Sequence, residues 1–159
     1  MAADVWTCGS CNPALRCGGW AFVRVAAGQG SGSAGGERGV TDAARMELSA
    51  LLAALDPASG EPLTAHLADP ALVAIAARLA AGGAWATPAG APLPNLDLWT
   101  PIAAALAAGR VRFAKAAPGP AAAFVASWAE LARDRAKDRG AFTAAIPRPN
   151  LAKALGLTG

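Results

Sequence analysis

The sequence predicts an α/β layer built on a mixed sheet. Short turns join the early alternating segments, which would therefore pair antiparallel. Helices separate the later strands, which would therefore join the sheet in parallel. Between the two groups, Leu48, Leu51, Leu52 and Leu55 recur at i, i+3, i+4 and i+7, a helical stripe that can cover one face of that sheet.

Asp4 to Cys8 alternates and reads as a first strand, with Val5 and Thr7 on one face. Gly9 to Gly19 reads as turn. Trp20 to Val25 reads as a second strand. Gly28 to Gly39 is rich in Gly and Ser and is either a loop or a weak third strand. Thr41 or Asp42 can cap the leucine-striped helix, which Asp56, Pro57 and Gly60 end. Leu63 to Ala68 reads as a buried strand. Asp69-Pro70 opens a second helix, because Asp69 can cap and Pro70 suits the first helical position. That helix carries Leu72, Val73, Ile75 and Leu79 and stops near Gly82-Gly83.

Trp85 to Pro94 reads as a proline-broken loop. Asn95 or Asp97 caps a third helix bearing Leu98, Trp99, Ile102 and Leu106, with Pro101 tolerable only in its first turn. Arg110 to Lys115 alternates and reads as a strand with one basic face. After a turn at Ala116 to Pro120, a last clear helix would turn Phe124, Val125, Trp128, Leu131 and Ala132 inward. Residues 1–145 form the expected domain. Residues 146–159, opened by Pro147 and Pro149, form an irregular tail in which Leu151 to Leu157 offers a final turn of helix.

At 159 residues the chain is expected to form one domain with a real core, and 54% hydrophobic against 16% charged residues excludes a disordered chain. A net charge of +3 is compatible with nucleic acid but not diagnostic of it. Much of that charge lies in Arg133 to Arg139, where Asp134 and Asp138 alternate with it, the pattern of a solvated helix face. No charged segment precedes an apolar run of signal-peptide type, and no uninterrupted apolar run spans a membrane, so a cytoplasmic location is expected. Cys8, Cys11 and Cys17 include a C-x-x-C spacing. Four zinc ligands are not in sight, since His66 is the single histidine, and the thiols read as unpaired. His66 reads as a packed strand histidine, and the tryptophans as core or loop-packing residues.

Two carboxylates stand out. Glu47 lies in Arg45-Met46-Glu47-Leu48 at the head of the striped helix, and Asp69 ends a strand. Taken alone they favour a helix dipole and a cap. In order along the chain, Thr7-x-Gly9-Ser10-Cys11, Gly18-Gly19-Trp20, Ser33-Ala34-Gly35, Arg45 to Leu48, Asp69, Trp85, Asn95 to Trp99 and Glu130-Leu131-Ala132 resemble the type 1 ribonuclease H family. The resemblance implies a ribonuclease H-like mixed sheet with flanking helices. It also implies cleavage of RNA in RNA–DNA hybrids by two magnesium ions held on four carboxylates.

Carried over by position, those four sites fall on Cys8, Glu47, Asp69 and Ala129, so only Glu47 and Asp69 keep a carboxylate. Cysteine is a soft ligand poorly suited to magnesium, and alanine offers none. Asp4 is four residues from Cys8, too far to replace it, and Glu130 is one helical step, roughly 100°, from Ala129. The polar groups with which the family reads a hybrid are replaced by Ala43 and Ala44, by Pro70 and Ala71, and by Ala116 to Gly119. The expected function is therefore a binding or interaction module on a ribonuclease H fold with defective catalysis. Its expected partner is RNA–DNA hybrid or an unidentified protein, and no membrane. The alternative is an active nuclease with a reduced metal site. A cysteine-centred zinc or redox protein is a third reading.

Overall fold

A computed structural model describes residues 3–40, 42–55, 62–83, 85–86 and 90–155. Six strands and five helices run in the order β1 (Ala3–Asn12), β2 (Cys17–Ala26), β3 (Gln29–Arg38), α1 (Ala43–Ala54), β4 (Leu63–Leu67), α2 (Pro70–Ala80), α3 (Leu96–Ala107), β5 (Val111–Lys115), α4 (Pro120–Arg139), β6 (Phe142–Ala145) and α5 (Arg148–Leu155). They form one mixed sheet of order β5-β4-β1-β2-β3-β6. β1, β2 and β3 pair antiparallel, while β4 joins β1 and β5 joins β4 in parallel.

Strand alternation divides the core in two. Val5, Trp20, Phe22, Ala65 and Val111 pack beneath α1, α2 and α3. Ala21, Val23 and Ala34 point to the other side, against Val125, Ala129 and Ala132 of α4 and Leu151 of α5. Helices thus pack on both faces of the sheet: α1, α2 and α3, which include the crossovers of the parallel β1-β4-β5 portion, on one side, and α4 and α5 over β1, β2 and β3 on the other.

Five expectations are corrected or resolved by the structure. The segment Gly9 to Gly19 is mostly strand, with the turn confined to 13–16. The glycines there admit helices rather than break strands. A Cβ on Gly9 would stand 2.4 Å from the Ala43 oxygen and the Glu47 nitrogen, and one on Gly19 would stand 2.2 Å from the Arg133 nitrogen. Second, of the two readings open for the Gly/Ser-rich segment the strand is the one observed: it forms β3 over its full length because β2 and β6 hold it from both sides. Third, Leu131 faces solvent at 60% exposure; α4 packs through Val125, Ala129, Ala132 and Ala136 instead.

Fourth, Pro101 lies in the second turn of α3, not the first. Trp99, Ile102 and Ala105 of that helix are buried. Each large one gains roughly 1.5–3 kcal/mol, enough to outweigh the ~3 kcal/mol cost of an exposed interior proline. Fifth, a strand not expected after α4, β6, adds to the sheet edge before residue 146, and within residues 146–159 the expected final turn of helix is the two-turn α5, which buries Leu151.

Of the leucine stripe, Leu48 and Leu51 are fully buried, while Leu52 and Leu55 are partly buried beside the same core. Asp42 caps α1 by accepting the Ala44 N–H at 3.0 Å, and Asp69 caps α2 by accepting the Ala71 N–H at 2.9 Å. Thr41, Asp56, Pro57, Gly60 and Leu157 lie outside the described residues, as do parts of the Trp85 to Pro94 loop. Within that loop Ala86 bridges Pro92, and Leu93 is buried.

Candidate functional site

Thr7 and Leu67 are partners across β1 and β4, so these strands run side by side toward the same end of the sheet. Gly9 lets the first turn of α1 lie directly on β1 there. That contact drops Glu47 into the sheet: it is only 3% exposed. Its Oε2 accepts the Thr7 hydroxyl at 2.8 Å and the Ala68 N–H at 2.7 Å, and its Oε1 accepts the Asp69 N–H at 3.1 Å. Burial pushes the Glu47 carboxyl up to about 6, against the three hydrogen bonds that pull it down, and the Asp69 charge adds to the rise.

Glu47 therefore ties α1, β1 and the start of α2 together. Asp69 stands next to it through its backbone N–H, while its own carboxylate is occupied with the Ala71 N–H. The two remaining carboxylates are neighbours, and each holds a backbone donor at the α2 start.

Cys8 points to the opposite side of β1 from Thr7 and is half-buried against the α4-side core. Burial, then the charges of Glu47 and of Glu130, raise its thiol to about 11. Glu130, set aside on sequence because it lies a helical step from Ala129, thus reaches Cys8 electrostatically. Ala129 is fully buried, its carbonyl 2.3 Å from where a Gly19 Cβ would sit. Gly19 pairs with Ser10, two residues along from Cys8.

Arg133 completes this corner. Its Nη1 donates to the Ser10 hydroxyl at 2.9 Å, and its Nε to Asp134 at 3.1 Å. In the sequence Arg133 belongs to an alternating charge run of solvated type, and Thr7 carries no functional signal beyond its strand position. The available signal for Thr7 was its place on the Val5 face, opposite the Glu47 helix.

Arg45 of the same motif is committed elsewhere. Its guanidinium grips Asp97 through two bonds of 3.0 and 2.8 Å and reaches the Asn95 amide oxygen at 3.2 Å. Asn95 passes the link to Asp42 at 2.9 Å. Asn95 occupies the cap position of α3 in the left-handed region, φ 61°, with no side-chain bond to its own helix. The network joins the N-termini of α1 and α3 and holds Asp97 below the usual carboxylate range. His66 bonds Asp4 at 2.9 Å and stacks on Trp6 with centroids 4.7 Å apart, a packed histidine. Among the described residues no group of three or more His, Cys, Asp or Glu side chains is placed to hold a metal ion, and no helix is long and apolar enough to cross a membrane.

No family model and no curated protein matches the sequence. Solved structures do match the fold. LC9-RNase H1, a type 1 ribonuclease H with the type 2 active-site motif, superposes with a TM-score of 0.66 at 17% identity over 95% of this chain and 80% of its own. The N-terminal ribonuclease H domain of a Mycobacterium tuberculosis protein gives 0.61 at 19% identity, over 87% of this chain and 97% of its own. LC11-RNase H1, from compost and solved with an RNA/DNA hybrid, gives 0.56 at 17% identity, over 84% and 98%. The fold is ribonuclease H-like.

Proposed function

We propose that this ribonuclease H-like chain binds nucleic acid or serves as an interaction module, and does not hydrolyse RNA–DNA hybrid efficiently. One observation carries the reading. Glu47, the carboxylate that the family motif would offer to a metal, is buried and accepts three hydrogen bonds from the protein itself. Its neighbours add little. Asp69 caps a helix, the Cys8 thiol is held protonated at neutral pH, and Ala129 has no ligand atom. Magnesium asks for hard oxygen donors in octahedral geometry. This donor set does not fit two such ions, so no hydrolytic step is assigned to it.

Nucleic acid as the partner is supported by the likeness to the hybrid-bound LC11 structure and by the positive net charge. The test is a labelled RNA–DNA hybrid incubated in magnesium, beside an anisotropy titration of the same hybrid in chelator. Binding that persists in chelator with no cleavage above background is the expected result. Robust magnesium-dependent turnover abolished by Glu47→Gln overturns it.

A further inference from the structure

β5 is an edge of the sheet. In a parallel ladder alternate residues bond the neighbouring strand, and the intervening ones point their backbone groups away. The Leu63 N–H donates to the Arg110 carbonyl at 2.8 Å, and the Ala116 N–H donates to the Leu67 carbonyl at 2.8 Å. The even-numbered residues therefore serve β4. Val111, Phe113 and Lys115 turn their N–H and C=O groups outward, and no strand among the described residues takes them up.

Beside that edge, Val73, Ala76 and Ala77 of α2, Leu106 of α3 and Phe113 line an apolar cavity of about 250 Å³, room for a leucine or phenylalanine side chain. The same edge is cationic. Arg110, Arg112 and Lys115 lie between Gly109 and Gly119, a stretch with no acidic residue. The basic strand therefore has three features in one place: open backbone groups, an apolar hole and positive charge.

We propose that the β5 edge docks an extended acidic segment of a partner protein, which adds to the sheet as a further strand and places one apolar side chain in the cavity. The outward backbone groups ask for an extended chain, and the cavity asks for an apolar side chain, which a nucleic acid lacks. The three cations ask for acidic flanks. They also oppose a second copy of this chain, since edge-to-edge pairing of two β5 strands would set like charges across from each other. This site is separate from Glu47 and goes beyond the function proposed above; its test uses no hybrid.

The probe is a fluorescein-labelled peptide of alternating glutamate and leucine, titrated against the whole chain by anisotropy. Saturable binding that weakens with salt is expected. Ala77→Trp, which fills the cavity, should weaken it about tenfold or more. Arg112→Glu with Lys115→Glu should do the same and abolish the salt dependence. Thermal melts report whether each variant is folded. On the unaltered protein, a peptide with lysine in place of glutamate should bind at least about tenfold more weakly, whatever the variants do. No saturable binding at millimolar peptide, equal binding of the lysine peptide, or undiminished binding by both folded variants overturns the proposal. So does a dimer, seen by sedimentation, that is lost with Arg112→Glu and Lys115→Glu, or a single-stranded oligonucleotide that displaces the peptide from the edge.

Discussion

Glu47 shows how one residue's environment decides its chemistry. Its carboxyl is raised from 4.5 to about 6, so between those pH values the native chain holds a proton that the unfolded chain has lost. Stability should therefore fall as pH rises through this window, by about 2 kcal/mol, and stay flat above it. Urea unfolding at pH values below, within and above the window measures the slope. Glu47→Gln cannot titrate and should remove it. Glu47→Ala should cost about 3 kcal/mol at neutral pH, because the Thr7 hydroxyl and the Ala68 and Asp69 N–H groups lose their acceptor. A neutral effect of Glu47→Ala would mean that the carboxylate is not the tie between α1, β1 and α2.

At the level of elements, the interface between α4 and the sheet is built from the smallest side chains. Ala129, Ala132 and Ala136 lie on it, and Gly19 lets the α4 backbone touch β2. Gly19→Ala should cost about 3 kcal/mol or more, since its Cβ would meet helix backbone that can move only by lifting α4 off the strands. Chemical denaturation reads that loss directly. Leu131→Ala, on the exposed side of the same helix, should change stability by no more than about 0.5 kcal/mol. A large loss at Leu131 would restore the inward orientation that its hydrophobicity suggested.

For the molecule as a whole, the donor set around Glu47 predicts indifference to magnesium. A ligand that binds only the native state stabilises it by RT ln(1 + [L]/Kd). If Kd exceeds about 10 mM, then about 10 mM magnesium adds no more than about 0.4 kcal/mol, so melts in magnesium and in chelator should coincide. A clear upward shift with magnesium, lost in Glu47→Gln, would show that the carboxylates rearrange to hold the ion.

Periodicity and local chemistry alone determined much of this protein. Leucine spacing placed α1, Asp69-Pro70 started α2, and the change from short turns to helical crossovers set the antiparallel and parallel parts of the sheet. Ordered motifs also marked Glu47 and Asp69. What the sequence could not express was contact across chain distance. Glycine and alanine carry little periodic signal, so Gly9 and Gly19 read as turn, and Ala129 and Ala136 were not distinguished on the inward face of α4, where Leu131 was expected, until the helices were laid on the strands. β3 looked weak because its stability comes from partners on both sides, the second being β6, about a hundred residues away. The role of Glu47 was hidden for the same reason. Thr7, Ala68 and Asp69 become its partners only when α1 is packed against β1 and β4, a burial that no local pattern around Arg45 to Leu48 expresses.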